Sequence, residues 1–299
     1  MNCHNPGKVC DGLWYLGRPE SGVYLLEGRD GSMIISGGMS YLAPDLLRQF
    51  DEFGLKEDRI RGIIILHAHF DHIGIVPFLH RRNPDLKIYA SARAWEILSE
   101  AKHIDTINQF SHRLTERMKI DVPYTPEELD WPVGLSGDLI SEGDVIDLGD
   151  RQILVIVTPG HSSCSISAYV PQIKALFPSD GGGIPYKGTI IASANSNFTL
   201  YLESLKKLEA LQIDYLCADH FGYVCGNAAN TYISSSIDSA INERSRLEEI
   251  YRRSFDIDAA AREAATSFIK ENPDYFLPLE IYEGVCRQMM KHIAKTMSR

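Results

Sequence analysis

The sequence predicts an α/β fold followed by an α-helical C-terminal extension. Apolar runs of strand length alternate with stretches of helical spacing up to about residue 228. Beyond Asn230 only helical spacing remains. Several of the apolar runs also end in histidine or aspartate beside a glycine or proline turn. Strand ends next to such turns are where α/β folds hold ligands.

Leu13 to Leu16, Val23 to Glu27 and Met33 to Ser36 read as short strands, with Arg29-Asp30-Gly31-Ser32 as a hairpin turn. Leu46, Leu47 and Phe50 give residues 44–53 helical spacing. The run Ile60 to Leu66, apolar but for Arg61 at its second position, suits a strand buried on both faces. A helix is expected around 73–81, a strand at 87–90 and a largely helical stretch over 92–117. Residues 123–137 are punctuated by Pro and Gly and read as a loop. Strands are expected at 139–148 and 152–158, turned by Gly149-Asp150-Arg151, and then at 165–170, 175–177 and 215–218. Leu202, Leu205 and Leu208 mark a helix over 199–211. Ile233, Ile237, Ile241, Ile250 and Tyr251 define one C-terminal helix, and Ala260, Ala264 and Phe268 a second. Tyr282, Val285, Met289 and Ile293 define a third, after Pro273 and Pro278. The expected boundaries are 1–228 for the α/β domain, with a helical insert at about 92–120, and 229–299 for an extension covering the site.

With 299 residues, 44% of them hydrophobic and 23% charged, the chain can bury a sizeable core and disorder is not its default. A formal net charge of -10 argues against general nucleic-acid binding, which needs a basic face. Anionic substrates remain compatible, because bound metal ions reverse the field locally. Cys3, Cys10, Cys164, Cys217, Cys225 and Cys286 form no CxxC pair and read as reduced cytosolic thiols. Cys217 and Cys164 read as core packing, the latter close enough to His161 to border a pocket. The first residues lack the apolar segment of a signal peptide, and no apolar run nears the ~20 residues of a membrane span. A cytoplasmic location without membrane association is therefore expected.

His67, His69, Asp71 and His72 lie within six residues, directly after the run at 60–66. A two-residue step in extended backbone puts His67 and His69 on the same side. A tight turn then brings Asp71 and His72 toward a neighbouring point. Imidazole and carboxylate are the groups that borderline divalent metals bind. One histidine here would read as a solvent-facing residue, whereas four ligand-type residues at this spacing point to a metal. The runs ending at His161, Asp180 and His220 repeat the pattern. Each alone has a plain reading, Asp180 as a turn residue and either histidine as a polar cap. Five of the ten histidines belong to the combined set; His4, His80, His103, His112 and His292 lack such context.

His67-Ala68-His69-Phe70-Asp71-His72 resembles the HxHxDH motif of the metallo-β-lactamase superfamily. Gly160-His161-Ser162, Ser179-Asp180 and Asp219-His220-Phe221-Gly222 resemble its later single-ligand motifs, in the same order, over roughly residues 10 to 225. The resemblance implies a four-layer αββα sandwich with the site at one edge of the two sheets. It implies one metal position from His67, His69 and His161 and a second from Asp71, His72 and His220. Asp180 would bridge the two, and Asp71 would be the catalytic residue. Two divalent transition-metal ions are implied as cofactors, zinc foremost, with iron or manganese also compatible with a cysteine-free ligand set. Two such ions about 3.5–4 Å apart share a hydroxide available at neutral pH. Two departures stand out. Ser36, in Ile34-Ile35-Ser36-Gly37-Gly38, occupies the place of the family's usual acid, which is expected to alter ligand orientation or metal preference. Phe221 follows His220 where glycine is common and is expected to narrow or shape the entrance.

The helical extension resembles the lid of glyoxalase II-like thioesterases. The helical insert after Tyr89-Ala90-Ser91, the Tyr201-Leu202-Glu203-Ser204-Leu205 helix and Phe276-Leu277-Pro278-Leu279-Glu280 resemble the thioesterase-like quinolone-signal response branch. The expected function is hydrolysis of a small-molecule ester or thioester by a metal-bridging hydroxide. Three alternatives stay open: a phosphodiesterase or lactonase, a regulatory protein with a retained metal site, and a non-haem iron redox enzyme. Candidate pocket residues are Phe70, Tyr186, Phe221, Tyr282 and Met289, for each of which ordinary packing is the plainer reading. Residues 104–118 are a further candidate wall. The expected partner is a small molecule, not nucleic acid, and a homodimer is left open.

Overall fold

A computed structural model describes residues 2–297 of the chain. In chain order the strands are β1 (Asn2–Cys3), β2 (Gly7–Cys10), β3 (Leu13–Arg18), β4 (Ser21–Gly28), β5 (Gly31–Ile35), β6 (Ile60–Ile64), β7 (Lys87–Ala90) and β8 (Asp138–Leu139). They continue with β9 (Val145–Asp147), β10 (Gln152–Val157), β11 (Ile166–Val170), β12 (Ala175–Phe177), β13 (Ile184–Tyr186), β14 (Thr189–Ile191), β15 (Tyr215–Cys217) and β16 (Tyr223–Cys225). The helices are α1 (Ala43–Phe53), α2 (Val76–Arg82), α3 (Ala92–Ser99), α4 (Ala101–Met118) and α5 (Pro126–Leu129). They end with α6 (Phe198–Glu209), α7 (Asn227–Asn230), α8 (Tyr232–Ser254), α9 (Ile257–Glu271) and α10 (Leu279–Met297).

The strands form two seven-stranded sheets, ordered β2-β3-β4-β5-β6-β7-β8 and β1-β16-β15-β12-β11-β10-β9, with β13-β14 as a separate hairpin. Side-chain alternation explains how the sheets stack. Leu13, Tyr15, Tyr24, Leu26, Met33, Ile35 and Ile64 meet Ile153, Val155, Ile166, Ala168, Phe177 and Cys217 in one core between the sheets. The intervening residues Leu16, Val23, Leu25, Ile34, Ile63, Leu176 and Leu216 point the other way, into a core shared with α1, α6 and α8. With period two along each strand, both faces are buried. The result is the helix–sheet–sheet–helix layering expected from the sequence.

The C-terminal helices are tied to the rest of the chain by polar contacts as well as packing. From α8, Tyr232 donates to the Gly183 carbonyl (3.1 Å), Ser236 to the Gly182 carbonyl (2.8 Å) and Ser239 to the Ile190 carbonyl (2.6 Å). These bonds fasten the helix to the turn that carries Asp180 and to the β13-β14 hairpin.

Several expectations shift. The strand expected over 139–148 is two strands, β8 and β9, belonging to different sheets. A turn at Ser141-Glu142-Gly143-Asp144 separates them, closed by the Ser141 amide donating to Asp144 (2.8 Å), with Gly143 at φ 83°. The helical stretch over 92–117 breaks at Glu100, whose backbone is extended (φ -83°, ψ 115°). The loop at 123–137 contains the one-turn helix α5. The hairpin turn narrows to Arg29-Asp30, because Gly28 pairs with Gly31.

Candidate metal centre

β6 delivers the first group of side chains. After Ile64 the chain leaves the strand, bends at Leu66 and reaches His69 in extended backbone (φ -80°, ψ 152°), and a 3-10 turn, Phe70–His72, follows. His67 and His69 thus project together, and Asp71 and His72 turn in beside them. β10 leads to His161 through Gly160, at φ 133°. A Cβ on Gly160 would stand 2.2 Å from the Tyr201 backbone nitrogen, so only glycine lets α6 pack this closely beside His161. β12 leads to Asp180 in the turn Ser179–Gly182, and β15 leads to His220.

All seven side chains meet at one edge of the sandwich. His67 Nε2 lies 3.1 Å from His69 Nδ1, and His161 Nε2 lies 3.2 Å and 3.0 Å from the same two atoms. On the other side, His220 Nε2 is 3.2 Å from His72 Nε2 and 3.6 Å from Asp71 Oδ2. Asp180 stands between the groups, with carboxylate oxygens 3.5 Å from His72 Nε2, 3.7 Å from His161 Nε2 and 3.6 Å from His220 Nε2. His69 is half-buried and the other six are buried.

The outward ring nitrogens set the tautomers. His161 Nδ1 faces the Ser193 carbonyl (2.7 Å), His220 Nδ1 faces the Glu20 carbonyl (2.6 Å), and His72 Nδ1 faces Asp219 Oδ2 (2.7 Å). Each acceptor requires an N–H on Nδ1, so in the neutral ring each Nε2 turns a lone pair inward. Lone pairs crowded within 3.2 Å repel unless a cation lies among them, so the donor set fits divalent metal ions. His67, His69 and His161 would hold one, Asp71, His72 and His220 a second, and the Asp180 carboxylate reaches toward both.

Burial depresses the ring pKa of His67, His69 and His161, with His69 and His161 at about 4, so these rings are neutral ligands at pH 7. Burial also works against a charge on His72. There the Asp180 and Asp71 carboxylates, with hydrogen bonds to Asp180 and Asp219, outweigh it and raise the pKa. For Asp180, burial acts to raise the pKa, but His72, His220 and His161 hold the carboxyl below the usual range.

A cavity of about 540 Å³ opens onto this cluster, and His69, Asp71, His161, Asp180 and His220 form its floor. Its walls are largely apolar: Ile97, Ile107 and Phe110 on one side, Ile184 and Ile191 of the hairpin on another, and Phe276, Leu277, Tyr282, Val285 and Met289 above. Phe70, Tyr282 and Met289 line it as the sequence suggested, as does the α4 segment. Tyr186 and Phe221 do not. Phe221 takes φ 60°, and its ring packs on Tyr186 (4.9 Å between centroids), Tyr275 (6.2 Å) and Phe276 (6.0 Å). It therefore supports the cavity wall from behind instead of narrowing the mouth.

The family model described as the metallo-beta-lactamase superfamily matches residues 17–220, more than half of the sequence. The chain belongs to the metallo-β-lactamase superfamily. An acyl-coenzyme A thioesterase MBLAC2 from Gallus gallus is 27% identical over 201 residues, 63% of this chain and 66% of that protein. A hydroxyacylglutathione hydrolase from Mesorhizobium japonicum is 29% identical over 161 residues, 52% of this chain and 59% of that one. The chain thus spans between 59% and 66% of the length of these two relatives. The metallo-beta-lactamase family protein TTHA1429 from Thermus thermophilus superposes with a TM-score of 0.68 at 17% identity, covering 97% of this chain and 95% of that one. That likeness shows a shared fold. The family match places the chain in the metallo-β-lactamase superfamily; which reaction it carries out is a question for the cavity.

Residues the sequence reading passed over surround the centre. Ser36 carries no charge, yet a carboxylate is present beside His72. Asp219, from the far side of the site, accepts from Ser36 Oγ (2.9 Å), Ser179 Oγ and His72 Nδ1. Asp219 and Ser179 each sit one residue before a candidate ligand, which was the available signal. Ser193 and Tyr275 follow no motif spacing, and Phe276 and Leu277, quoted above only for a branch resemblance, prove to line the cavity.

Proposed function

We propose that this protein hydrolyses a small-molecule thioester, or a related ester, that carries an apolar acyl group. One observation carries the reading: a largely apolar cavity whose floor consists of metal-type donors. Such a cavity sequesters an acyl chain and presents its carbonyl at the polar end. Both relatives described above bear the names of thioester hydrolases, which supports this bond type. A phosphodiesterase needs cationic walls, and among the described residues Arg113 on α4 is the only Lys or Arg lining the cavity.

Two divalent transition-metal ions, zinc foremost and iron or manganese as alternatives, would activate water and polarise the carbonyl oxygen. The chain's own residues do the rest. Ile107, Phe110, Leu277 and Met289 bind the acyl group and exclude water. Asp71, the candidate catalytic residue, directs Oδ2 toward His72 and His220, and its other carboxylate oxygen would hold the proton of the attacking water. The leaving thiol departs as a thiolate of ordinary pKa near 8.5 and needs no buried acid. Residues 1–228 would form the catalytic domain and 229–299 its cover. Six unpaired thiols suit the reducing cytoplasm proposed as its location.

The test is a panel of thioesters of graded acyl length, with lactones and phosphodiesters alongside, assayed on metal-loaded protein. Thioester kcat/KM should rise with acyl length and exceed the phosphodiester values. Preference for a phosphodiester, or indifference to acyl length, would refute the proposal.

A further inference from the structure

We propose that Asp219 makes the Asp71–His72–His220 position the tighter of the two metal positions, through a charged hydrogen bond to His72. This rests on the reading of the seven residues as a metal centre. Four of the candidate imidazoles have an outward nitrogen that meets a partner. His161 and His220 face backbone carbonyls, and His67 Nδ1 lies 3.2 Å from the Ser179 hydroxyl. Those partners are neutral. His72 Nδ1 faces a carboxylate at 2.7 Å. A carboxylate behind a ligating imidazole fixes its orientation and raises its basicity. This position also has the Asp71 carboxylate, whereas the other has three imidazoles, and Asp180 reaches both.

The surroundings of Asp219 are built for the task. Its Oδ2 accepts from three side chains on three separate segments, Ser36 after β5, Ser179 after β12 and His72 after β6. Ser36 and Ser179 both occupy left-handed backbone, φ 69° and 49°, where residues other than glycine are uncommon. Two strained serines thus turn their hydroxyls to one oxygen. The side chain is 2% exposed, and among the described residues its other oxygen, Oδ1, has no hydrogen-bond partner. A carboxylate desolvated this far with one oxygen unpaired is costly for the fold, which favours a role at the centre.

The experiment titrates metal-free wild type, Asp219→Asn and the double variant Ser36→Asp/Asp219→Asn with Zn²⁺ against a chromophoric chelator, reading two stepwise constants. Co²⁺ absorption of the first equivalent reports which position fills, with His220→Ala and His161→Ala as references. The expected result is two unequal steps, the tighter lost in His220→Ala and retained in His161→Ala. Asp219→Asn weakens the tighter step roughly 10–100-fold and the other far less. The double variant regains part of the loss, since aspartate tolerates left-handed backbone better than most residues and returns a carboxylate from the β5 side. Equal weakening of both steps, no weakening, or a tighter step lost in His161→Ala overturns the proposal. Melting of the metal-free forms identifies a variant that does not fold. Should Asp219→Asn be one, Ser36→Ala removes one bond to the same oxygen without touching a ligand of the other position and must weaken the tighter step selectively; equal loss at both steps overturns the proposal. A wild-type protein that binds no ion at all would instead refute the metal-centre reading beneath it.

Discussion

Gly160 and the histidine after it show how single residues set the centre. At φ 133°, with the Tyr201 backbone where a Cβ would stand, Gly160 admits no side chain without moving α6. Gly160→Ala should cost about 1–3 kcal/mol, by strain and overpacking, measurable by chemical denaturation. Protons supply a second prediction at this scale. His69 and His161 have pKa values of about 4 in the fold against 6.5 unperturbed. The folded chain therefore binds fewer protons than the unfolded chain between these values. The contribution of both residues to stability is complete above pH 6.5 and is lost as pH falls toward 4. For His72, whose pKa is raised, the sign reverses: its contribution is present at low pH and lost as pH rises through the folded value. Denaturation of metal-free His69→Ala and His161→Ala should accordingly show a shallower loss of stability below pH 6.5 than wild type.

At the scale of elements, the connection between α9 and α10 closes the cavity. Tyr275, Phe276 and Leu277 are buried there, with Phe276 stacked on the His220 ring at 4.8 Å between centroids. Met289 of α10 completes the wall. Met289→Ala removes acyl contact worth up to roughly 2 kcal/mol. It should lower kcat/KM about thirtyfold for a long-chain thioester and little for an acetyl thioester, as a comparison of the two substrates will show. The elements that sequence patterns revealed best were the long or strongly apolar ones, such as β6, apolar but for Arg61, and the helices of the extension. β13 and β14 have three residues each, too few to display a period. The 139–148 segment misled because its apolar pairs, Leu139-Ile140 and Val145-Ile146, suit a strand on either side of the four-residue turn Ser141 to Asp144. The metal-type donors were legible because they crowd together in sequence or end apolar runs. Asp219, Ser179 and Ser193 act at one remove, and that role imposes no spacing. For Tyr186 and Phe221, candidates for which packing is the plainer reading, bulk beside a ligand does not reveal which way a ring turns, and the two rings pack on each other behind the wall.

For the whole molecule, the two sheets converge on the centre from six separate segments, counting those of Ser36 and Ser193. Ions bound there bridge both halves of the sandwich and favour the folded chain by mass action. At a hundredfold excess over Kd this is about 2.7 kcal/mol per ion, so removal of metal should lower the melting temperature, as calorimetry before and after chelation will show. The central claim, a hydrolase that depends on a two-metal centre, is tested most directly by elemental analysis of reconstituted protein alongside thioester hydrolysis on the same sample. Two divalent ions per chain are expected, with hydrolysis abolished when they are stripped and restored on their return. A chain that retains no ion after reconstitution with zinc, iron or manganese, or that hydrolyses thioesters equally well without them, would contradict it.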